Sequence, residues 1–389
     1  MVVKRVVVKL GGSVLSTPED FIRAASIVKK DLEDGIEMLL VVSAMKGQTD
    51  NLIDMAKKIG ASSEMMDAIA GLGEVLSARL MAAALNSLGV CSVAIDPSSP
   101  LWPVYTDGSH GDANPDVHAT CGAAISNLEP MIGEIVPVVC GYIGKTKDGK
   151  LTTLGRGGSD TTAVLLANCL RADEVVLVKD SKGIMSADPK VIEEARQISR
   201  LNVEEALTLS VGGAKVLHHK ALRYISPTLR VRVVSIEEGS FVRGGTVIEG
   251  HVPDLEVEVH DKPVSMITLL TDGDYPDGLK INGLLSESRL DKAMILYIDG
   301  QVEEVVKELH NLVEKGVIKA ISVKRNLAMI KVWGSSIEDV PGVISKIAEP
   351  LASMGINIHG MQTVHNKIAV FLDWDKRELA ARELGSVLR

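Results

Sequence analysis

Aromatic side chains are scarce in this sequence of 389 residues, since only 3% are Phe, Trp or Tyr. Aliphatic residues must therefore fill the core, and a hydrophobic fraction of 46% with 24% charged residues is typical of an ordinary globular chain. Long apolar runs are also missing: no stretch of about 18 uncharged apolar residues could span a membrane. Lys4, Arg5 and Lys9 interrupt the first apolar segment, so no signal peptide is expected. We expect a cytoplasmic protein without a membrane partner.

The sequence also lacks an excess of basic residues and a clustered set of cysteines. Its formal net charge of −9 argues against nucleic acid as a partner. The four cysteines are far apart and mostly lie in apolar segments, which predicts reduced, buried thiols and neither disulfides nor a zinc site; they are Cys91, Cys121, Cys140 and Cys169. No HExxH motif is present, and we predict no protein-held metal site.

Residues 1–250 alternate short β-rich segments with amphipathic helices, a pattern that predicts an α/β domain with a mainly parallel sheet. Between the first two strands a helix is expected, with Thr17 as N-cap, Pro18 in its first turn and Gly35 after its end. The predicted strands are Val2–Leu10, Met38–Ala44, Cys91–Asp96, Ile135–Ile143, Glu174–Lys179 and Val231–Ser235. Several of these are continuous apolar runs, as in strands that are buried on both faces.

The character of the sequence changes near residue 250. The segment Glu249–Pro263 is polar and ends in proline, which indicates a domain boundary. Beyond it the pattern predicts two small α+β units, residues 251–325 and 326–389. Pro350 lies within the predicted helix Val343–Met354 and should kink it or end it early.

Several chemistry-bearing segments follow predicted strands, at the edge where open α/β sheets bind ligands. "KLGGS" (Lys9–Ser13) combines a lysine with two glycine N–H groups and could cradle a phosphate, or could be a plain turn. In "SAMKGQTD", Thr49 and Asp50 could simply cap the next helix. Glu74 opens an apolar helix, where it could interact with the helix dipole or hold a substrate ammonium.

"TTLGRGGSD" (Thr152–Asp160) has almost no apolar side chain to bury. Its glycines allow close backbone approach, and Arg156 offers a planar fork for a carboxylate or phosphate. A helix is expected to start at Ser159 or Asp160, so this loop would present a helix N-terminus to an anion.

The ordered set "VVKLGGSVL", "VVSAMKGQTDNL", "GLGEVLSARLMAAAL", "TTLGRGGSDTTAVLLA", "DSKGIMSADPK" and "GGAKVLHHKAL" resembles the aspartate kinases of the amino acid kinase family. The resemblance covers roughly residues 3–240, and the C-terminal units resemble the paired ACT domains of these enzymes. It implies the amino acid kinase fold followed by two ACT-like domains, and a homodimer or larger homo-oligomer. It also implies transfer of a phosphoryl group from ATP, with Mg²⁺, to L-aspartate, the first step of lysine, threonine and methionine biosynthesis.

The resemblance assigns a role to each matching residue. Catalysis would fall to Lys9, Asp160 and Lys215. Aspartate would be held by Thr49, Glu74, Arg156, Gly157, Gly158 and Ser159. The nucleotide side would comprise Lys9, Gly11, Gly12, Ser13, Lys179, Asp180, Lys182, Asp188, Lys190 and Lys215. An amino-acid effector is expected near Ser335–Val343 in the ACT pair.

Two other functions remain open on the residues alone. The chain could phosphorylate another acid, such as N-acetylglutamate, or be an inactive amino-acid sensor. Arg156 and Glu74 favour a free α-amino acid, because an N-acylated substrate has no ammonium for Glu74. The acceptor carboxylate is already ionised, so the reaction needs no general base, and positioning and cations would suffice.

Overall fold

The computed structural model describes residues 4–211, 218–251, 253, 255–272, 280–334, 337 and 341–388. The chain forms two compact units, Met1–Val252 and Pro253–Arg389.

The first unit contains one large sheet whose central strands are parallel. Eight strands lie in the order β3-β4-β2-β1-β7-β9-β10-β8, while β5 and β6 form a separate hairpin. Only β9 and β10 pair antiparallel within the large sheet. The strands are β1 (Lys4–Leu10), β2 (Ile36–Val42), β3 (Ser92–Ile95), β4 (Val136–Cys140), β5 (Ile143–Lys145), β6 (Leu151–Thr153), β7 (Glu174–Lys179), β8 (Arg200–Asn202), β9 (Arg230–Ser235) and β10 (Thr246–Glu249). The predicted α/β class and mainly parallel sheet are confirmed.

Helices flank this sheet, some packed directly on it and others on neighbouring helices or on the hairpin. They are α1 (Pro18–Glu33), α2 (Gln48–Lys58), α3 (Ser63–Ala70), α4 (Leu72–Ser87), α5 (Val117–Asn127), α6 (Gly158–Cys169), α7 (Val203–Val211) and α8 (His219–Leu222), with 3₁₀ turns at Glu129–Met131 and Ile236–Glu238. Thr17 caps α1 as predicted, and Asp20 completes a capping box with it.

One stretch among the described residues, Ser63–Ser87, is apolar and long enough to cross a membrane by composition and length alone. The structure divides this stretch into α3 and α4. Half of its most apolar window is buried inside the protein, as in the core helices of a globular domain.

A disulfide joins Cys121 of α5 to Cys169 of α6. Cys91 is an exposed thiol, and Cys140 is a buried one. The prediction of reduced, buried thiols without a disulfide is therefore wrong for Cys91, Cys121 and Cys169. Side-by-side packing of α5 and α6 brings two residues that are 48 positions apart in sequence to a Cα–Cα distance of 4.6 Å, which spacing along the chain does not reveal.

The second unit contains an antiparallel sheet of seven strands. Six of them lie in the order β13-β14-β12-β15-β17-β16, and the seventh, β11, pairs with β15. Its strands are β11 (Glu256–Val259), β12 (Val264–Leu270), β13 (Leu284–Leu290), β14 (Ala293–Asp299), β15 (Ala320–Trp333), β16 (Ile358–Val364) and β17 (Lys367–Asp373). Its helices are α9 (Val302–Glu314), α10 (Val343–Ser353) and α11 (Arg377–Val387), with a 3₁₀ turn at Trp374–Lys376. Pro350 lies inside α10, which continues to Ser353.

Strand β15 serves two hydrophobic cores in this unit. Its first half pairs with β12, and its second half pairs with β17 and β11. One core lies under α9 and contains Leu296; the other lies under α10 and α11 and contains Ile330. The stacked rings of Tyr297 and Phe371, with centroids 3.6 Å apart, belong to a third cluster that also contains Leu327 of β15.

Candidate active site

The candidate site lies at the carboxyl edge of the parallel sheet in the first unit. Leu10 at the end of β1 pairs with Val42 of β2 on one side and with Val178 of β7 on the other. The segments that follow these three strands therefore start side by side. The amide of Ser43 donates to the carbonyl of Leu10 at 3.1 Å. Ligands of open α/β sheets bind at this edge.

Lys9 and Asp160 meet at this edge. Lys9 Nζ lies 2.7 Å from Asp160 Oδ1, and the two side chains are 14% and 12% exposed. Burial alone would raise the pKa of the Asp160 carboxyl, but the positive charges of Lys9 and Lys179 outweigh it and hold the pKa below its usual value. Asp160 is therefore ionised at neutral pH and fixes the Lys9 ammonium at the end of β1.

The turn after β1 packs against the turn after β2. A Cβ at Gly12 would lie 2.3 Å from the carbonyl oxygen of Ala44, so only glycine allows the two backbones to come this close. The amide of Val14 donates to the carbonyl of Gly11 at 3.0 Å and closes the turn, while Ser13 is exposed. The turn is thus held in a fixed shape next to the ion pair, an arrangement that suits phosphate binding.

The glycine loop that precedes α6 is shaped by its contact with the start of α8. The helix begins at Gly158, one residue earlier than the predicted start at Ser159 or Asp160, and Gly157 is its N-cap with φ of 71°. A Cβ at Gly157 would lie 2.2 Å from the Cβ of His218. No side chain caps α6, so its N-terminus can accept an anion.

Arg156 lies in the same loop with an exposed side chain. Within the residues that the structure describes, its guanidinium makes neither a hydrogen bond nor an ion pair. Ser159, three residues further, is 8% exposed. The loop therefore combines a helix N-terminus with a forked cation that no described residue pairs with, and such a pair can bind a carboxylate next to a second anion.

Glu74 lies in the first turn of α4 and is 3% exposed. Its Oε1 accepts the amide N–H of Ala44 at 3.2 Å, whereas its buried Oε2 finds no hydrogen-bond partner in the described part of the chain. Burial raises the pKa of Glu74 to about 7, despite the opposing effect of the Ala44 hydrogen bond. A buried carboxylate oxygen without a partner is costly, and an ammonium group of a ligand would satisfy it.

Thr49 lies in the first turn of α2 and is partly buried. The N-cap of α2 is Gly47 in the left-handed region, and no side chain caps the helix. The alternative that Thr49 or Asp50 merely caps this helix is therefore wrong.

The residues predicted for the nucleotide side divide into two groups. Lys179 ends β7 and is near enough to Asp160 to lower its pKa. The predicted residues that follow β7 are exposed; they are Asp180, Lys182, Asp188 and Lys190. Asp188 Oδ1 accepts the amide of Lys190 at 2.9 Å and closes a local turn. Lys215, the other predicted catalytic cation, lies outside the described residues.

Sequence reasoning missed a buried polar network around Asp67 of α3, which is 3% exposed. Its carboxylate lies 2.7 Å from His110 Nδ1, and accepts the Gly111 amide at 3.1 Å and the Thr153 hydroxyl at 2.6 Å. The signal was an aspartate inside the otherwise apolar helix "MMDAIA". It ties the segment that contains Gly111 to β6, directly before the glycine loop.

A second missed residue is Lys220 of α8, which is 8% exposed. Its ammonium donates to Asp112, Ala113 and Leu154. The signal in the sequence was weak, because a single lysine in "HHKAL" is usually a surface residue.

The fold and the site together define a class of protein. A lysine at a strand end, a glycine turn and an uncapped helix N-terminus favour phosphate, while Glu74 and Arg156 favour the two charged groups of a small acid. This set on a mainly parallel sheet is that of a kinase for small acids. Residues 4–235 match the amino acid kinase family, and residues 322–385 match the ACT domain. The chain belongs to the amino acid kinase family.

Relatives of this chain within the family are aspartokinases. The aspartokinase of Mycolicibacterium smegmatis is 30% identical over 395 residues, which cover 94% of this chain and 92% of the relative. The solved aspartate kinase from Synechocystis has a TM-score of 0.75 at 24% identity, covering 98% of this chain and 69% of that one.

Aspartokinase III of E. coli, solved in complex with aspartate and ADP, has a TM-score of 0.58 at 22% identity, covering 99% of this chain and 100% of that one. The same E. coli enzyme in complex with lysine and aspartate has a TM-score of 0.56 at 20% identity, covering 98% and 99%. The amino acid kinase fold with a C-terminal ACT part is thereby confirmed.

Proposed function

We propose that the chain is an aspartate kinase, which converts ATP and L-aspartate to ADP and 4-phospho-L-aspartate. Glu74 is the observation that carries the proposal. Its Oε1 binds the amide of Ala44, whose carbonyl packs against Gly12 in the predicted phosphate turn. Its Oε2 has no hydrogen-bond partner among the described residues. An α-ammonium group next to the phosphate turn would complete this site, and a free amino acid supplies one.

Aspartate would be held at both of its α-substituents. The Arg156 guanidinium, which is exposed and has no partner among the described residues, would bind the α-carboxylate with two parallel hydrogen bonds. Ionised Glu74 would accept the ammonium. Thr49, Ser159 and the backbone at Gly157 and Gly158 would complete the pocket. The β-carboxylate would then be directed to the end of β1.

The transfer itself needs no proton to be removed. A β-carboxylate oxygen of aspartate forms a bond to the γ-phosphorus as the bond from that phosphorus to the bridging oxygen breaks, and ADP leaves with the electron pair. Lys9, held at 2.7 Å by Asp160, would stabilise the charge on the transferring group. The uncapped N-terminus of α6 would add its N–H groups to the same charge.

The nucleotide would enter as its magnesium complex. The described residues contain no group of three or more His, Cys, Asp or Glu side chains that could hold a metal ion. Mg²⁺ would arrive on the phosphates and keep most of its ligands from phosphate and water. We assign Lys179, Asp180, Lys182, Asp188, Lys190 and Lys215 to the nucleotide side, with Gly11, Gly12 and Ser13 at the phosphates.

One assay separates this proposal from its rivals. ADP release is measured with aspartate, glutamate and N-acetylglutamate as acceptors, and hydroxylamine traps any acyl phosphate as a hydroxamate. We expect ADP and hydroxamate in equal amounts with aspartate and little of either with the other two acids. A preference for N-acetylglutamate would contradict the assigned role of Glu74. Aspartate binding without ADP release would instead indicate an amino-acid sensor.

We also propose that the ACT part binds an amino-acid effector. Asn366 follows β16 and is 2% exposed. Neither the nitrogen nor the oxygen of its side-chain amide has a hydrogen-bond partner within the part of the chain that the structure describes. Its carbonyl accepts the amide of Gly334, which directly precedes the predicted effector loop Ser335–Val343; residues 335–336 and 338–340 of that loop lie outside the described part. Buried polar atoms without partners suit a ligand that brings its own hydrogen-bonding groups.

Calorimetry with lysine, threonine and methionine tests the effector, and sedimentation of the intact protein tests the proposed homodimer. We expect at least one of the amino acids to bind below millimolar concentration and to change the rate. A dimer that binds none of them would mean that the ACT part only joins subunits. A cytoplasmic location belongs to the same proposal.

A further inference from the structure

The ammonium of Lys220 is buried and fully occupied by three oxygens. It donates to Asp112 Oδ1 at 2.5 Å, to the carbonyl of Ala113 at 3.1 Å and to the carbonyl of Leu154 at 2.9 Å. The Lys220 side chain is 10% exposed, whereas that of Asp112 is 75% exposed. Burying an ammonium group is costly unless its donors are all satisfied, and here each of the three donors has an acceptor.

All three acceptors border the glycine loop. Leu154 is the residue directly before Gly155, and its amide donates to the carbonyl of Tyr142 at 2.8 Å. Asp112 packs against the other side, since a Cβ at Gly155 would lie 2.3 Å from its Oδ1. Lys220 thus holds together the segment before the glycine loop and the segment that packs over its first glycine.

Residues at the start of α8 contact the glycine loop at two points. Lys220 holds the carbonyl of Leu154, and His218 contacts Gly157 so closely that a Cβ there would lie 2.2 Å from the His218 Cβ. Arg156 lies between these two points. The loop has three glycines around Arg156, and glycine backbones do not restrain their own dihedral angles. The shape of the loop therefore depends on contacts from outside it.

We propose that Lys220 is a positioning residue for aspartate binding, one that sets the place of Arg156 through the carbonyl of Leu154 and through Asp112. The inference rests on the proposed function. Lys220 touches neither substrate; it holds the loop in the shape in which the Arg156 guanidinium meets the α-carboxylate. Small misplacements of such a group have large effects, since a shift of about 1 Å can cost about 100-fold in rate.

Lys220→Met, Lys220→Arg and Asp112→Asn test the role, and Lys147→Met is the matched control. Lys147 forms an exposed ion pair with Asp116, and within the described residues it makes no hydrogen bond or ion pair to the glycine loop. We expect Lys220→Met to raise the KM for aspartate at least about tenfold, in keeping with loss of a charge-assisted contact. The KM for ATP should change less than about twofold, because the phosphate turn after β1 is held separately.

The other variants make the test independent of whether Lys220→Met folds well. Asp112→Asn removes the negative charge of one acceptor at an exposed position and should raise the KM for aspartate about threefold. Its effect should disappear in the Lys220→Met background, because Asp112 acts through Lys220. Lys220→Arg keeps the charge and should recover part of the affinity for aspartate. Lys147→Met should match the wild type.

A second readout does not depend on catalysis. Amide hydrogen exchange in residues 154–160 should become faster in Lys220→Met and Asp112→Asn but not in Lys147→Met. Unchanged exchange and an unchanged KM for aspartate would overturn the inference, and so would equal rises in both KM values. A wild-type protein that does not phosphorylate aspartate would refute the proposed function alone, since exchange still measures whether Lys220 anchors the loop.

Discussion

Glu74→Gln should make the first unit more stable and the enzyme worse at binding aspartate. Glutamine keeps the size of the side chain and an oxygen that can accept the Ala44 amide, but it removes the charge. Burial raises the pKa of Glu74 from 4.5 to about 7. Because one pKa unit corresponds to about 1.4 kcal/mol, ionising this buried carboxyl costs about 3 kcal/mol of the free energy of unfolding.

The cost depends on pH in a definite direction. The pKa is higher in the folded than in the unfolded state, so between about pH 4.5 and 7 the folded protein keeps a proton that the unfolded chain has released. The free energy of unfolding therefore falls as the pH rises through this window. The cost is about 1.4 kcal/mol at pH 5.5 and about 3 kcal/mol at pH 8.5.

Thermal unfolding at these two pH values measures the effect, with Glu64→Gln as the control. Glu64 is an exposed glutamate, 50% accessible and 3.8 Å from Lys150. We expect Glu74→Gln to gain about 2 kcal/mol more at pH 8.5 than at pH 5.5, which is a Tm difference of about 4–8 °C for a unit of this size. Glu64→Gln should show no such dependence on pH.

Aspartate binding should become weaker in Glu74→Gln although the protein becomes more stable. Only ionised Glu74 attracts an ammonium, so the wild-type KM for aspartate should fall as the pH rises through about 7, whereas that of Glu74→Gln should be at least about tenfold higher and independent of pH. An equal Tm gain at both pH values, together with an unchanged KM, would refute both the buried charge and its role in binding.

Three further predictions concern the same unit. Arg156→Lys should raise the KM for aspartate about 30- to 150-fold with little effect on that for ATP, since a lysine cannot form two parallel hydrogen bonds; steady-state kinetics that show an unchanged aspartate KM would remove Arg156 from the site. Lys9→Met should lower kcat at least about 100-fold, while Lys58→Met, which changes an exposed lysine, should not; circular dichroism checks that both variants are folded. In denaturant, iodoacetamide should alkylate two cysteines before reduction and four after it, because Cys121 and Cys169 are paired; reduction should lower the free energy of unfolding by up to about 4 kcal/mol, and four reactive thiols in the unreduced protein would contradict the pairing.

Six strands of the large sheet were predictable, because burial on both faces leaves a strong apolar signal, whereas the short strands β5, β6, β8 and β10 were not predicted. Glu174–Lys179 matches the predicted bounds, and β1 ends at Leu10 as expected. Caps set by side chains were also predictable, as at Thr17. The start of α6 was displaced by one residue because Gly157 caps it through backbone conformation alone, and the sequence marks such a cap only as one glycine among several.

Contacts between segments that are distant along the chain could not be predicted from the pattern of residues in the sequence. The pairing of Lys9 with Asp160 could be expected only through the family resemblance, since 151 residues separate them along the chain. The Cys121–Cys169 disulfide depends on how α5 and α6 pack, and periodicity does not report that. Lys220 was missed for a similar reason: a lysine is usually exposed, and its three acceptors come from segments that only the tertiary fold brings together.

A single strand, β15, takes part in both hydrophobic cores of the second unit. Residues Ala320–Leu327 pair with β12, and Leu327–Trp333 pair with β17. If either core unfolds, the other core loses β15. Calorimetry should therefore record one unfolding transition for both halves. Ligand bound to one half would then protect amides in the other half as well. A fragment starting at residue 326 would keep only Leu327 of the residues that pair with β12. The ACT-like halves should therefore be expressed and studied only as a pair.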